Sequence, residues 1–469
     1  MSARLLIPLL VLALAGPAPA WAQPRPEAPP LLTLTEVLAS VQRNPKLIAA
    51  DAELAEAAGL RMSADGAFDP SLNAFVGGRP LGYYDQVVGG ASMSWQSPLW
   101  GMALEGGWRV GQGDFASYEG KRETLGGGEL FVGLTVPLLY GGPMDAERAG
   151  RLRAQALEQG AGADRDIVLL DLRAAAEAAY WSWAAKATGR RVARELLDLA
   201  LARETGLRRT IEAGAAAKID GLEYRRSVLS RRGKLADAEA KERMAAAKLA
   251  LYLRDADGRP RVVRWEEAPS LPEPSIAPRL APEDAAQVAW AARPEGARWR
   301  AEQEVADASR RLARASALPK LDLKVGASAD LPRQSDPSPS LAQPTLDARI
   351  DLAWPTAMRA GRGKVAQARS KVAQVDAKAA YARDELAARV RSLAAQLDAS
   401  EQRLVWAAET VQVTEALADA ERARFSAGDS DLLFVNLREQ TAASAREEQA
   451  QLRADVFGLR AAWAALVRP

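Results

Sequence analysis

The stretch LDLKVGASADL, residues 321–331, alternates apolar residues with polar or small ones at every step. The stretch TLDARIDLAWP, residues 345–355, does the same and carries charges at Asp347, Arg349 and Asp351. A period of two is typical of β-strands, because successive side chains point to opposite faces of the sheet. Aliphatic residues on one face and charges on the other indicate strands of a transmembrane β-barrel, with lipid outside and water inside.

The first half of the chain contains further alternating segments. Residues 102–110 and 130–136 alternate cleanly, whereas 72–78 and 87–97 do so less cleanly, so two or four strands are predicted there. The number is even because the helices on either side of the strands lie on the same side of the membrane. With two strands in the second half, the chain has four to six. The smallest membrane barrels have about eight strands, so the chain is predicted to oligomerise.

The remaining segments have the 3.6-residue period of amphipathic helices. Helices are predicted at residues 34–67, 143–212, 217–254, 283–317, 360–427 and 431–467. The two longest reach roughly 100 Å at about 1.5 Å per residue, and apolar residues spaced by three and four along them predict coiled-coil contacts. In each half of the chain, the two shorter helices together match the long one in length. This match predicts that they stack end to end beside it.

Features that recur in the same order indicate a tandem duplication. Asn44-Pro45 near a helix start resembles Arg293-Pro294, and Ile211-Glu-Ala-Gly214 resembles Phe425-Ser-Ala-Gly428. The predicted organisation is repeat 1 over 34–254 with a β segment at 70–137, a Pro-rich linker over 255–282, and repeat 2 over 283–469 with a β segment at 320–355.

The N-terminus has the pattern of an export signal. A positive charge at Arg4 precedes an apolar run from Leu5 to Ala15, which is too short to span a bilayer. Ala20 and Ala22 are small residues at the positions that a signal peptidase reads. Residues 1–22 are therefore predicted to be a cleaved signal peptide, and 23–33 a flexible leader.

Composition excludes several classes of function. The chain of 469 residues has no Cys and no His, which removes disulfides, thiol nucleophiles, Cys/His zinc sites and His-based acid–base chemistry. Its 62 basic and 60 acidic side chains nearly balance, so nothing indicates a nucleic-acid partner. No catalytic residue, metal site or cofactor is predicted. Arginine runs such as Arg225-Arg226 and Arg231-Arg232 are predicted to lie on solvated helix faces.

Three motifs give the chain a resemblance to the TolC family of outer-membrane efflux and secretion ducts. They are Asn44-Pro45 at a helix start, VPLLYGG at 136–142 after a strand, and FSAGDSDLL at 425–433 at a helical turn. The resemblance implies a homotrimer in which four strands per protomer build one shared β-barrel in the outer membrane. It further implies a helical tunnel in the periplasm, whose closed tip docks a periplasmic adaptor protein and an inner-membrane transporter.

The resemblance also assigns the tip. In the family, the two turns at the closed end carry the adaptor-docking motif, and they match residues 213–216 and 427–430 of this chain. The adaptor-docking residues implied in this way are Gly214, Ala215, Gly428, Asp429 and Ser430.

The family's gate is held shut by polar contacts just after these turns. Asp220 matches a gate carboxylate, and Phe434 stands where the family often has an Asp. Phe425 and Ser430 replace the Tyr and Arg of the gate, so most of the usual salt network between helices is predicted to be missing. Asp431 is a further pore candidate, although capping of a helix start explains it better. For Asp220, a gate role and a solvated helix face both remain open.

Two alternatives to a duct can be weighed from the sequence. A periplasmic adaptor (membrane fusion) protein also has an export signal and long helices, but it would show one hairpin between compact β domains and no duplication. An enzyme would need converging titratable groups in a cleft, which helical faces this regular do not offer. The sequence leaves open whether the cargo is a metal ion, a drug or a polypeptide, and which pump and adaptor the duct serves.

Overall fold

The computed structural model describes residues 30–116, 123–275, 278–334 and 342–467. The helices in these ranges are α1 (Leu34–Ser40), α2 (Pro45–Asp65), α3 (Ala146–Glu212), α4 (Lys218–Leu249), α5 (Pro282–Ala292), α6 (Pro294–Ser316), α7 (Arg359–Ser426) and α8 (Leu432–Val467). The strands are β1 (Ser71–Arg79), β2 (Gln86–Gln96), β3 (Ala103–Gly113), β4 (Glu129–Pro137), β5 (Lys320–Asp330) and β6 (Thr345–Ala353). The predicted signal peptide and most of the predicted leader lie outside the described residues.

The strands form one antiparallel sheet in the order β1-β2-β3-β4-β5-β6. The four strands per protomer that the family resemblance implies are therefore wrong for this chain, whose described residues form six. The additional pair is β2 and β3. The alternation in the sequence is clean in β3 and weak in β2, although both strands contain paired glycines. Glycines at 89, 90, 106 and 107 have no side chain to mark a face of the sheet. A Cβ on Gly107 would lie 2.4 Å from the carbonyl oxygen of Ala91, so the two strands pack closely there.

The pairing separates apolar from charged residues across the sheet. Leu323 pairs with Ile350, and the adjacent Lys324 pairs with Arg349 on the opposite face. The apolar face continues through all six strands, with Leu72, Val76, Met93, Trp95, Leu104, Trp108, Leu130, Val132, Leu134, Leu346 and Leu352 exposed on it. On the charged face, the Lys324 ammonium lies 3.1 Å from a carboxylate oxygen of Asp351. The face assignment predicted from alternation in β5 and β6 is thus confirmed.

Two of the predicted helices are interrupted. The segment predicted as helix 34–67 divides into α1, a 3-10 turn and α2, and the segment predicted as 283–317 divides into α5 and α6. Each break falls directly before a proline, at Asn44-Pro45 and Arg293-Pro294. Proline has no N–H to continue the helix and forces the preceding residue into an extended conformation. The ψ angles of Asn44 and Arg293 are accordingly 130° and 149°.

Other helix boundaries lie within a few residues of the prediction. The largest difference is at the end of α4, which stops at Leu249 rather than at residue 254. The start of α3 moves from residue 143 to Ala146, because the Asp145 side chain accepts a hydrogen bond from the Arg148 N–H and caps the helix. No helix in the described part of the chain is long and apolar enough to cross a bilayer.

The expected end-to-end stacking of short helices is confirmed in both halves. The Asn44 side-chain amide donates a 3.0 Å hydrogen bond to the carbonyl of Leu251, just beyond the end of α4. At the corresponding position of the second half, the Arg293 guanidinium donates to the carbonyl of Ala465 near the end of α8. The residue before each proline therefore joins the start of one short helix to the end of the other.

The long helices form the centre of the helical layer. Beside the sheet, α2, α3, α6 and α7 contact in that order, and towards the other end the order is α4, α3, α8 and α7. Where α1 and α4 meet α3, Trp183 is fully buried and its indole donates a 3.1 Å hydrogen bond to Glu242. The linker follows the outside of the second half, where Arg279 pairs with Asp398 and Glu401 of α7.

Exchanging apolar and charged residues in β5 tests the face assignment. Leu323→Arg would put a charge on the apolar face, which costs roughly 2–4 kcal/mol at the middle of a bilayer. Lys324→Leu changes the neighbouring residue, which lies on the charged face, and is the matched control. We expect the first variant to deplete assembled protein in the membrane fraction much more than the second. Cysteines at 323 and 350 should react with lipid-phase probes, and those at 324 and 349 with aqueous ones; the reverse pattern contradicts the assignment.

Candidate functional site

The two helical turns at the end opposite the sheet have the same geometry. Gly214 and Gly428 follow α3 and α7 with φ angles of 77° and 85°. In the first turn the Ala215 N–H bonds to the Thr210 carbonyl and the Gly214 N–H to the Ile211 carbonyl. This pair of hydrogen bonds is the Schellman motif, which ends helices with a residue in the left-handed conformation.

The second turn repeats the motif. The Asp429 N–H bonds to the Arg424 carbonyl at 2.9 Å, and the Gly428 N–H bonds to the Phe425 carbonyl at 3.1 Å. A Cβ on either glycine would meet no atom within 4 Å. The requirement for glycine therefore comes from the positive φ alone, and the turns leave open space around them.

The two candidate aspartates lie just after the turns, and each binds a backbone N–H of its own helix start. The Asp220 carboxylate accepts a 3.1 Å hydrogen bond from the Ala217 N–H. The Asp431 carboxylate accepts one of 3.2 Å from the Leu433 N–H. The capping role that the sequence favours for Asp431 is present in the structure. Within a single chain, Asp220 caps as well.

The other candidate residues form one polar cluster and an apolar flank. The Ser430 hydroxyl donates to Glu421, and Arg424 donates to the carbonyl of Asp429 at 3.1 Å. These contacts hold the second turn against the end of α7. Large apolar side chains are exposed on both helix pairs near the turns, namely Ile219, Leu222, Phe425, Leu433, Phe434 and Leu437.

A charged cluster behind the turns was missed by the sequence analysis. Glu439 of α8 is 3% exposed and accepts hydrogen bonds of 2.8 and 2.7 Å from both terminal nitrogens of Arg203 in α3. Its carboxylate also lies 3.4 Å from Arg231 of α4 and 3.2 Å from Arg422 of α7. Side chains from all four helices of this end thus converge on one carboxylate.

Arg231 corrects a sequence prediction. The arginine run predicts a solvated face, but Arg231 is 5% exposed and also donates to the Leu196 carbonyl and to Asn436. Its pairing satisfies a charge that would otherwise be costly to bury. One sequence signal points to the cluster: Glu439 lies four residues after Val435 and three before Ala442, both buried, where an apolar residue is the rule.

Opposing effects set the charge of Glu439. Burial by itself raises the pKa of this carboxyl, but hydrogen bonding and the charges of Arg203, Arg231 and Arg422 outweigh burial and hold the pKa below its ordinary value. Glu439 is therefore ionised at neutral pH. As an anion it pairs with arginines of α3, α4 and α7 and so joins α8 to these three helices. In the described ranges, no group of three or more acidic side chains is arranged to hold a metal ion.

Comparison with known proteins finds one family profile that matches part of the sequence and several solved structures of similar fold. Residues 285–467 match the sequence profile of the family described as outer membrane efflux protein. The fold resembles the outer-membrane channel OprN, at 19% identity, TM-score 0.62, and coverage of 92% of this chain and 89% of that one. It also resembles the outer membrane protein VceC of Vibrio cholerae, at 16% identity, TM-score 0.62, and coverage of 92% and 95%.

A third similar structure is the CmeC outer membrane channel of Campylobacter jejuni. It is 10% identical with a TM-score of 0.64, and the match covers 98% of this chain and 94% of that one. None of the curated protein sequences compared with the chain matches it significantly. The likeness in fold therefore extends over about nine tenths or more of each chain, while the sequence profile covers residues 285–467.

Neutralising Glu439 is predicted to loosen this end of the helices. Glu439→Gln removes the anion that Arg203 and Arg231 share, and the loss of one partner of a buried ion pair costs about 3–5 kcal/mol. Faster amide hydrogen exchange in the first turns of α8 is the expected result. Glu448→Gln, at an exposed position of the same helix, should leave exchange unchanged.

The pH dependence gives a second measurement. A carboxyl whose pKa is lowered by folding stabilises the folded state above its unfolded pKa, and this contribution is lost as the pH falls through the lower folded pKa. Protection of α8 should therefore decline only in acid below the ordinary carboxyl range, and Glu439→Gln should lack that step. Equal exchange in the variant and the unchanged protein would show that the cluster does not hold the helices together.

Proposed function

We propose that this chain is a TolC-like member of the outer membrane efflux protein family and forms a passive exit duct in the cell outer membrane, as the profile match over residues 285–467 and the fold likeness support. The single observation that carries the proposal is the sheet. Its six strands are apolar along one face and charged along the other, and they stand on helices of 67 and 68 residues. At about 1.5 Å per residue such helices reach roughly 100 Å, far beyond the thickness of a bilayer.

The duct is proposed to be a homotrimer with its helices in the periplasm. Six strands are too few to close a barrel, and an open sheet edge cannot face lipid, because its N–H and C=O groups would have no partners. Association of copies removes those edges. The helical layers of the same copies then form a tube that continues the barrel.

The two glycine turns are proposed to dock a periplasmic adaptor protein, which connects the duct to an inner-membrane transporter. They project from the end of the helices opposite the sheet, and the space around both glycines is open. Such a system is a tripartite efflux pump or a type I secretion system. In both, the pump and adaptor select the cargo and the duct conducts it.

Two groups of residues are proposed to control the closed end. Within one copy, Glu439 ties the α3–α4 pair to the α7–α8 pair. Between copies, Asp220, Phe425 and Phe434 lie near the turns, where neighbouring chains would approach the axis, while Asp431 caps the start of α8. Opening requires the second group to separate, whereas the first keeps each copy's tip intact.

Fractionation of native cells tests the duct. The protein should sediment with the outer membrane and need detergent for extraction, and the purified protein should conduct ions across planar bilayers. Deletion of its gene should leave cargo inside the cell, which is measured as accumulation of a fluorescent efflux substrate or loss of a secreted polypeptide. Extraction by salt alone, without conductance, would support a periplasmic adaptor instead.

Substitution of a tip glycine tests docking. Gly428→Val puts a β-branched residue at a φ of 85°, and even an unbranched Cβ costs about 1–2 kcal/mol in that conformation. We expect export to fall at least tenfold while the trimer still assembles, because the sheet lies roughly 100 Å away by helix rise. The control is Gly206→Val, within α3, where an added Cβ also meets no atom within 4 Å. Normal export by Gly428→Val would contradict docking through this turn.

Removal of a candidate gate carboxylate tests closure. Asp220→Ala should raise the conductance of the isolated duct several-fold if the carboxylate holds helices together across the pore. Asp431→Ala removes a comparable N–H cap at the other turn and controls for fraying of a helix start. A rise in Asp220→Ala alone supports the gate. No rise would place Asp220 on a solvated helix face, with capping as its role.

A further inference from the structure

We propose that β1 of one copy pairs with β6 of the next, so that three copies close an eighteen-stranded barrel that is as wide as the helical tube below it. This inference rests on the proposed function and goes beyond it in naming the seam and the strand number. The sheet order begins with β1 and ends with β6, so these two strands are its edges. Three copies of six strands give eighteen.

The two edges fit each other in length, direction and face. Each is nine residues long, and the even number of strands makes neighbouring edges antiparallel. The helix-side ends of the edges are Ser71 and Ala353, because α2 precedes β1 and α7 follows β6. When these ends are level, Leu72 faces Leu352 of the next copy. Apolar residues then meet apolar residues along the seam, as the side-chain period of two requires.

The pairing within the sheet supports this register independently. Directly paired residues can be followed from strand to strand, starting at Leu72 in β1 and ending at Leu346 in β6. The residues between them are Met93, Gly106, Val132 and Ala327. The seam partner, Leu352, lies six residues beyond Leu346 along that strand. A stagger of six residues over six strands, at about 3.3 Å per residue and about 4.8 Å between strands, tilts the strands by roughly 35°. Membrane barrels have tilts of about 35–45°.

The strand number also matches the helical tube in width. Six strands tilted by about 35° occupy roughly 35 Å of circumference per copy. Beside the sheet each copy contributes four helices, α2, α3, α6 and α7, which at interaxial distances of about 8–10 Å occupy roughly 32–40 Å. Four strands at the same tilt of about 35° would cover only about two thirds of that arc. The barrel and the tube therefore join without a constriction, and the backbone of the barrel is about 33 Å across.

The additional hairpin lies within the apolar band rather than outside it. Met93 and Trp95 of β2 continue the apolar face of β1, and Trp108 of β3 continues that of β4. Without β2 and β3, β1 would lie beside β4. In an eighteen-stranded barrel, β1 therefore pairs with β2 of its own copy, whereas in a twelve-stranded barrel it would pair with β4. In both barrels its other neighbour is β6 of the next copy.

Disulfide cross-linking can show which strands are adjacent to β1. Because the chain has no Cys of its own, only the introduced cysteines can form a bond. Ala74→Cys and Ile350→Cys are introduced together, since the proposed register places them opposite each other and a disulfide needs Cα atoms within about 7 Å. Oxidation of the detergent-solubilised oligomer should convert most of the protein to covalent trimer. A product at the size of the monomer, or one that stops at dimer, overturns the proposal.

Two further pairs make the result specific. Ala91→Cys with Ile350→Cys is the matched control, because Ala91 pairs directly with Ala74 on the same face but lies on an interior strand. No cross-link is expected from it. Ala74→Cys with Leu134→Cys tests the twelve-stranded alternative. A bond within one chain there would place β1 beside β4 and overturn the proposal.

Electron cryomicroscopy of the oligomer in lipid nanodiscs provides the strand count directly. Eighteen strands are expected, and twelve or fewer overturn the inference even if the protein is an outer-membrane duct. Fractionation of the same variants separates the two proposals. Outer-membrane protein that restores export without the β1–β6 bond overturns the eighteen-stranded barrel alone, whereas protein absent from the outer membrane overturns both.

Discussion

The fold depends on the need to cover two helices of roughly 100 Å along their whole length. An isolated helix gains little from its own hydrogen bonds, so most of its stability comes from packing of its apolar side. Each long helix here is covered by two short ones whose ends meet at Asn44 or at Arg293. At both junctions the negative end of one helix dipole faces the positive start of the next, which favours the contact. The prolines that break the helices are therefore part of the join, and they recur at matching places in both halves of the chain.

The stacked helices have different structures at their two ends. At one end the helices pass into the sheet, and at the other the long helices reverse through two Schellman turns. Because both turns use a glycine with positive φ, their shape is independent of the residues around them. The helices behind the turns are held differently, by a buried carboxylate with three guanidinium groups. Such a cluster fixes the relative position of four helices, because loss of the shared carboxylate would leave the buried Arg231 uncompensated.

The sheet faces a different constraint, since its two surfaces meet different solvents. Apolar side chains on one face and ion pairs such as Lys324–Asp351 on the other allow it to separate lipid from water. Its edges are the remaining problem, and the even number of strands lets one edge pair with the other edge of a second copy. The glycine-rich β2–β3 pair widens the sheet until its arc equals that of the four helices attached to it.

Local patterns in the sequence were sufficient for the element types, the faces of β5 and β6, the glycine turns and the stacking of short helices, because periodicity and helix length are properties of neighbouring residues. The sequence left two or four strands open in the first half of the chain, because alternation is weak in β1 and β2; in β2, Gly89 and Gly90 have no side chain to show a face. The helix breaks at Asn44 and Arg293 were not predicted, because the 3.6-residue pattern of apolar side chains continues past Pro45 and Pro294. The breaks come from the missing proline N–H, which that pattern does not show. The burial of Arg231 could not be read from its run of arginines at all. Its partner Glu439 is 208 residues away in the chain, and only the packing of four helices brings the two charges together.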